Sequence, residues 1–156
     1  MTKSHLATAL VTIALLATAC SSTSKIEKQA YPIYFDEMYN YYVLNTIEDK
    51  QEKHLFINNQ QEFDRYFGAA AVMGPNGRPT PVDFKTQYVV AIVMPTTNRA
   101  TTVSVHDVAM TGNTVVISYR VKKEEKLGYY IRPFTLVALD KPPVDSQLAF
   151  IFKKTK

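Results

Sequence analysis

Alternation of apolar and polar residues dominates the second half of the chain and predicts a series of β-strands. Residues 101–108 and 114–122 both alternate with a period of two, which places their apolar side chains on one face of each strand. In the second stretch that face consists of Val115, Ile117, Tyr119 and Val121. Residues 88–94 are instead apolar without interruption, as expected for a central strand that is buried on both faces.

Turn-forming residues separate these strands from others. Gly112-Asn113 is a hairpin dipeptide between the two alternating stretches, and the charged residues and the glycine within 124–128 predict another turn. Further strands are expected at residues 38–46, with a short one before them, at 54–57, at 134–139 and, after a turn at Pro142-Pro143, at 148–152.

One segment carries the signals of a helix. Asn59 is suited to cap its N-terminus, with Glu62 at the capping-box spacing, and Gly68 is expected at the C′ position. Between them three aromatic residues share one helical face: Phe63, Tyr66 and Phe67. Glycines and prolines predict a loop over residues 69–82. We therefore expect a mainly β fold, an antiparallel β-sandwich or partly open barrel with one short helix.

The first 19 residues have the features of a secretory signal. A weakly basic start precedes the uncharged residues 6–17, and small residues lead up to Cys20, the only cysteine. The apolar stretch is shorter than the roughly 20 residues that a membrane-spanning helix needs. The site resembles a bacterial lipobox, in which signal peptidase cuts before the cysteine and lipid is attached to it. The alternative is an ordinary signal peptide with an incidental cysteine.

This interpretation divides the chain into a signal peptide at residues 1–19, a flexible tether at 20–30 and one β-rich domain at 31–156. Lipid on Cys20 attaches the domain to a membrane. Ser21 beside it is compatible with the outer membrane of a Gram-negative bacterium. We therefore expect a lipid-anchored protein of the cell envelope.

Composition and charge argue against a nucleic-acid-binding protein and against a disulfide-stabilised domain. The chain has 156 residues and a formal net charge of only +4, with 18 basic and 14 acidic residues that are mostly spread out. A nucleic-acid-binding domain needs basic residues clustered on one face and a recognisable motif, so we expect no nucleic-acid partner. Because the single cysteine is assigned to lipidation, no disulfide is expected within the domain.

Few residues have the spacing that catalysis or metal binding requires. His54 and His106 are far apart and neither belongs to a metal-ligand motif, so both are interpreted as surface or strand-edge histidines. Residues 74–77 contain two glycines but lack the Lys-Ser/Thr of a phosphate-binding loop. We expect no metal, no cofactor and no catalytic residue, and hence not an enzyme.

Two proline-stiffened loops at strand ends are the best candidates for binding. One follows the buried stretch 88–94, and the other precedes the strand that begins at Phe134. Proline reduces the entropy that a loop loses on binding, and arginine and aromatic residues are frequent interface anchors. The alternative is that the prolines only bound the strands and Phe134 is core. The candidate partner-binding residues are Pro95, Thr96, Thr97, Asn98, Arg99, Arg132, Pro133 and Phe134.

The same stretches resemble known families. Residues 81–85, residues 88–92, Pro95-Thr96 and residues 132–139 are similar to the PrcB-like subunits of protease complexes, over residues 81–154 in all. Residues 97–100 depart from the glycines and tyrosine of that family's loop. Pro95-Thr96-Thr97 and Arg132-Pro133-Phe134 also resemble, in order, two loops of the chagasin-type protease inhibitors, which are β-sandwiches. Both resemblances imply a non-catalytic β domain that binds or stabilises a protease or another envelope protein.

We expect, in sum, a membrane-anchored, non-catalytic envelope lipoprotein whose β domain binds or stabilises a protein partner, with a protease as one class of partner. One alternative is a carrier whose tyrosine-rich strands line a cavity for a small ligand. Another is a structural component of the envelope with no discrete site.

Overall fold

Two four-stranded sheets form a β-sandwich, as the alternation of the sequence predicts. The computed structural model describes residues 29–47, 50–70, 73–74, 77–142 and 147–156. Its strands, in chain order, are β1 (Tyr31–Pro32), β2 (Phe35–Glu37), β3 (Tyr41–Val43), β4 (Lys53–Ile57), β5 (Phe67–Ala69), β6 (Gln87–Val93), β7 (Thr97–Thr111), β8 (Thr114–Ile131), β9 (Phe134–Asp140) and β10 (Ala149–Thr155), with helix α1 (Gln60–Tyr66) between β4 and β5.

Strands that are neighbours in a sheet are mostly not neighbours in the chain. Sheet A has the order β1-β7-β8-β10 and sheet B the order β2-β9-β6-β4, while β3 and β5 form a separate two-stranded sheet. Every pair is antiparallel except β10 with β8, which run parallel from Ala149 beside Thr114 to Thr155 beside Arg120. The fold is therefore mainly antiparallel, with one parallel edge.

Sheet B lies in the middle of three layers and is buried on both faces. Alternate residues of β6 face sheet A, among them Val90 and Ile92, while Val89 and Ala91 face the helix side. This arrangement explains why residues 88–94 are apolar without interruption, and it confirms the prediction of a central strand. Side chains from both sheets fill the space between them: Val90, Ile92, Met94, Val103, Val105, Val108, Met110, Val115, Ile117, Tyr119, Val137 and Leu139.

The helix begins where the sequence predicts and ends differently. The Asn59 side chain accepts a hydrogen bond from the Glu62 backbone N–H at 2.8 Å, which confirms the cap. At the other end Phe67 is already extended, and the chain continues directly into β5. Gly68 thus follows the C-cap at the predicted C′ position, but it belongs to β5 and lacks the positive φ of a helix-ending glycine. It lies opposite Tyr42 in the small sheet, where an added Cβ would come within 2.4 Å of the Tyr42 ring.

The hairpin at Gly112-Asn113 is confirmed, and the turn predicted at residues 124–128 is wrong. Gly112 has a φ of 58°, and β7 and β8 pair directly on either side of the dipeptide. Residues 124–128 instead continue β8, where Lys126 pairs with Arg99 of β7 and every residue except the half-buried Leu127 is exposed.

The predicted signal peptide, Cys20 and most of the tether lie outside the described residues, as does Pro143 of the predicted turn. Among the residues that the structure does describe, no helix has the length and apolar character to cross a membrane.

Candidate functional site

The two loops singled out from the sequence lie side by side at one end of the sandwich. Residues 94–96 carry the chain from sheet B to sheet A, and residues 132–133 carry it back. A backbone hydrogen bond of 2.8 Å from the Met94 N–H to the Pro133 carbonyl joins them. Each loop is therefore held by the other as well as by its own strands.

A large bulge in β8 lies next to these loops. Thr97 pairs with Ile131, but Arg99, two residues further along β7, pairs with Lys126. Residues 127–130 therefore lie opposite a single β7 residue and must project from the regular strand path. Bulges of this kind re-aim side chains and are frequent beside functional sites.

The bulge presents two consecutive tyrosines to solvent. Tyr129 is 63 % exposed and Tyr130 is 73 % exposed, although both side chains are large and mostly apolar. Gly128 precedes them, and no heavy atom lies within 4 Å of the position that a Cβ would take there. The two aromatic rings are thus available for contact at the same end of the sandwich as the two loops.

A third segment, residues 43–47 after β3, completes the site. It is fastened to the end of the helix by a hydrogen bond from the Leu44 N–H to the Tyr66 carbonyl at 2.8 Å. The Thr46 hydroxyl donates a second bond to the Arg65 carbonyl at 2.6 Å. These contacts bring a segment distant in sequence against the two loops. Together the three segments and the bulge surround a cavity of about 470 Å³, which is lined by Val43, Asn45, Ile47, Thr96, Tyr130, Ile131 and Arg132.

The chemistry of this cavity suits polar groups with negative charge. Among the described residues that line the cavity, Arg132 is the charged one, and its Nε atom is buried in the wall. Hydrogen-bonding groups at the rim come from Thr96, Asn45 and Tyr130, and apolar surface comes from Val43 and its neighbours. A guanidinium in this setting favours a carboxylate or a carbonyl oxygen.

The structure brings some of the predicted residues to the cavity. Thr96 is exposed and Arg132 is half-buried, and both line it. Pro95, Thr97 and Asn98 are half-buried beside them, where Thr97 starts β7.

The other predicted residues have different surroundings. Arg99 is exposed and its Nη1 donates to the Glu124 carbonyl at 3.0 Å, across the strand pair from the bulge. Pro133 is buried, and Phe134 packs in the core on the helix side, with its ring centroid 6.1 Å from that of Phe67. Phe134 thus has the core position that was the alternative for it.

Sequence reasoning missed the segment 43–47. It placed Tyr130 in the second loop, but it did not include Tyr130 among the candidate binding residues, which began there at Arg132. Two adjacent tyrosines after Gly128 were the available signal for the bulge, because consecutive residues of a regular strand cannot both face the core.

A second polar cluster joins the sheets at the edge formed by β4, β8 and β10. The Glu52 carboxylate accepts a hydrogen bond from the buried Tyr119 hydroxyl, lies 2.9 Å from His54 Nε2, and accepts another from Lys154 Nζ at 3.1 Å. The His54 ring also stacks on Phe152, with centroids 4.3 Å apart. One carboxylate therefore connects three strands of both sheets.

These contacts shift the pKa values of Glu52 and Tyr119 in opposite directions. Partial burial alone raises the pKa of Glu52, but hydrogen bonds from Tyr119, His54 and Lys154 together lower it below its ordinary value. Burial, followed by the hydrogen bond to the Glu52 carboxylate, raises the pKa of Tyr119 well above its ordinary value. Glu52 is accordingly the ionised centre of the cluster at neutral pH.

Neither histidine belongs to a metal site in the part of the chain that the structure covers. No group of three or more His, Cys, Asp or Glu side chains is placed there to hold an ion. His106 is exposed at an irregularity in β7, between Val105 and Asp107, and His54 belongs to the polar cluster.

Comparison with known proteins identifies no relative: no protein family model, no curated protein and no solved structure matches the chain. The resemblances to PrcB-like subunits and to chagasin-type inhibitors stay predictions from short motifs.

Proposed function

We propose that the protein is a lipid-anchored, non-catalytic lipoprotein of the cell envelope, and that its β domain binds a partner protein through the end of the sandwich described above. The observation that carries the proposal is the meeting of separate segments around one cavity: residues 43–47, the loop at Thr96 and residues 130–132. Loops on a rigid scaffold are where binding residues concentrate, because the scaffold holds them in place.

The surroundings of the cavity favour a protein over a small molecule. Tyr129 and Tyr130 are largely exposed beside it, and Arg132 lies in its wall. Tyrosine and arginine are the residue types that most often anchor protein interfaces, and an exposed aromatic pair next to a recess can pack on a partner while the recess receives one of its side chains. The positive charge of Arg132 favours a partner side chain with a carboxylate.

The proposed anchor is compatible with the position of the domain. Tyr31, the first residue of β1, is the eleventh residue after Cys20. A fully extended chain of this length spans at most about 35–40 Å. The domain is then held close to the membrane surface, where it meets envelope proteins. Attachment through more than one acyl chain is stable, whereas a single chain binds reversibly.

The carrier alternative has less support. It requires tyrosines that line an internal cavity, but Tyr34, Tyr39 and Tyr42 are 67 %, 60 % and 49 % exposed on the surface. The interior between the two sheets is filled by side chains such as Ile92 and Ile117, both fully buried.

Cross-linking on intact cells, followed by mass spectrometry, identifies what contacts the domain, and the resemblance to protease-associated families makes proteases the first class to examine. The identified partner is then purified, and its affinity is measured by calorimetry for the wild-type domain and for Tyr130→Ala. We expect a loss of roughly 10- to 30-fold, as for the truncation of an interface anchor.

Tyr34→Ala is the matched control. Tyr34 is the same residue type with similar exposure, and its carbonyl accepts from the Asp140 N–H at the opposite end of β9. This variant should bind like the wild type. Equal affinity of Tyr130→Ala and wild type, or an equal loss in both variants, would contradict binding at this end of the sandwich.

A further inference from the structure

One long section of strand β7 is an open sheet edge. On the side opposite β8, β1 pairs with β7 only at Met110 and Ala109, and one more backbone bond, from the Ile33 N–H to the Val108 carbonyl, continues the pairing. Among the described residues, no strand pairs with β7 on that side from Thr97 to Asp107. Within this stretch the Arg99 N–H donates to the Thr97 hydroxyl, and the Arg99 carbonyl accepts from the Thr101 hydroxyl. A strand edge without a partner strand is a template for another strand.

The middle of this edge lacks the protection that the other edges of the two sheets have, whereas Arg99, His106 and Asp107, with register shifts beside them, lie at its two ends. Strand β1 has two residues, one of them Pro32, and β2 has three, including Asp36 and Glu37. Strand β4 carries Lys53, and β10 carries Lys153 beside a second lysine. Short length, proline and charge are the usual means of blocking edge-to-edge pairing. Residues 101–105 of β7, by contrast, are Thr, Thr, Val, Ser and Val in regular register with β8.

A groove leaves the open edge accessible. It has a volume of about 320 Å³ and lies between residues 102–104 of β7 and residues 37–41 on the sheet B side. Its apolar lining includes Met38, Val103 and Leu136, so an opposing strand that pairs with β7 finds space for an inward-facing side chain.

We propose that this edge pairs with the same edge of a second copy of the chain, in an antiparallel dimer whose twofold axis passes close to Val103. That centre is the midpoint of the regular stretch, and it sets Thr102 of each copy opposite Ser104 of the other. It also brings Arg99 of each copy near Asp107 of the other copy, and both residues are exposed. No like charges lie opposite each other in this register. The pairing runs from Arg99 to Asp107 of each copy, and Thr97 and Asn98 leave it, because Ile33 and Pro32 already occupy the edge at Val108 and Ala109. It is self-complementary, as a twofold interface requires, and it sets the two β7 strands side by side at the centre of one continuous sheet.

Sedimentation velocity over a wide range of protein concentrations tests the dimer. The parent protein is the full chain with Cys20→Ser, so that neither lipid nor the native thiol interferes. The double variant Thr102→Lys/Ser104→Lys puts lysine opposite lysine at two places, and we expect the dimer to weaken at least tenfold. Thr102→Glu/Ser104→Glu should weaken it equally, and an equimolar mixture of the two variants should restore dimers, which shows that both still fold. Asn113→Lys, at the exposed hairpin turn, is the control and should dimerise like the parent chain.

Cysteine variants in the same background test the register. Val103→Cys places two thiols across the twofold axis, within the range at which a disulfide forms, and should give a covalent dimer on mild oxidation. Val105→Cys replaces the same residue type on the same buried face, but its thiol meets residue 101 of the other copy and should not cross-link. A chain that stays monomeric, a lysine variant that dimerises like the parent, or equal cross-linking at both positions overturns the proposal. Because Tyr130→Ala leaves this edge intact, failure here is distinguishable from failure at the loop site.

Discussion

Replacing Glu52 with glutamine removes the charge that connects both sheets. The wild-type carboxylate accepts hydrogen bonds from Tyr119, which is 3 % exposed, and from Lys154, whose side chain is 47 % exposed. A hydrogen bond to a charged group contributes about 1.5–3 kcal/mol, and an ion pair as exposed as the one with Lys154 adds at most about 1 kcal/mol. Glutamine keeps an oxygen that can accept from Tyr119, so we expect Glu52→Gln to reduce the free energy of unfolding by about 2 kcal/mol.

Urea denaturation measures this loss and its dependence on pH. With a typical slope of about 2 kcal/mol per molar, the midpoint should fall by about 1 M near pH 7. The pKa of Glu52 is lowered in the folded state, so its charged form stabilises the fold above the ordinary carboxyl pKa of about 4.3. This contribution is lost as the pH falls through the lowered folded pKa. The difference between wild type and variant should therefore be full near neutral pH and shrink as the pH falls below the ordinary carboxyl pKa.

Glu124→Gln is the matched control, because Glu124 pairs with Lys122 at 2.6 Å on an exposed strand, with both side chains in solvent. It should change the midpoint much less than Glu52→Gln. An unchanged midpoint for Glu52→Gln near neutral pH, or a difference that persists in full at low pH, would refute the reasoning.

Three further predictions concern other parts of the chain. Cys20→Ser should move the protein from the membrane to the soluble fraction on cell fractionation, and membrane retention would contradict lipid anchoring. Asn59→Ala should cost about 0.5–2 kcal/mol of unfolding free energy in urea, because the Glu62 N–H loses its acceptor; an unchanged midpoint would show that the cap is dispensable. Gly68→Ala should lower the melting temperature, because its Cβ would overlap the Tyr42 ring, whereas in a Tyr42→Ala background the same substitution should have little effect. A loss of equal size in both backgrounds would place the clash elsewhere.

The fold was largely predictable because its core has strong local patterns. An uninterrupted apolar run identifies β6, and alternation with a glycine-first dipeptide identifies the hairpin of β7 and β8. Both signals arise from burial, which acts on neighbouring residues in a regular way. The helix start was predictable for the same reason, since capping is a contact over three residues.

The errors occurred where tertiary contacts outweigh local preference. Residues 124–126 are charged and fully on the exposed part of β8, and the sequence of an exposed strand resembles that of a turn. Gly68 is explained by the close approach of Tyr42, a residue from another strand, rather than by the helix that precedes it. The parallel pairing of β10 with β8 has no local signature at all.

The candidate site was predictable only in part, for a related reason. The prolines and Arg132 are visible in the sequence. The hydrogen bond from the Met94 N–H to the Pro133 carbonyl explains why the two loops lie side by side. The segment 43–47 lies at the cavity because it is hydrogen-bonded to the end of the helix. No local sequence pattern predicts that contact.

The strand order of sheet A has a consequence for folding. Its two central strands are neighbours in the chain and can form a hairpin on their own, whereas β1 arrives from far away: Tyr31 contacts Met110 across 79 positions. The contact of Lys154 on β10 with Glu52, which joins sheet A to the β4 side of sheet B, spans 102 positions. Pairings over such separations form slowly, since loop-closure entropy opposes them. The contact with Glu52 forms only once residue 154 is available, and this delay is compatible with the proposed export of the chain before it folds.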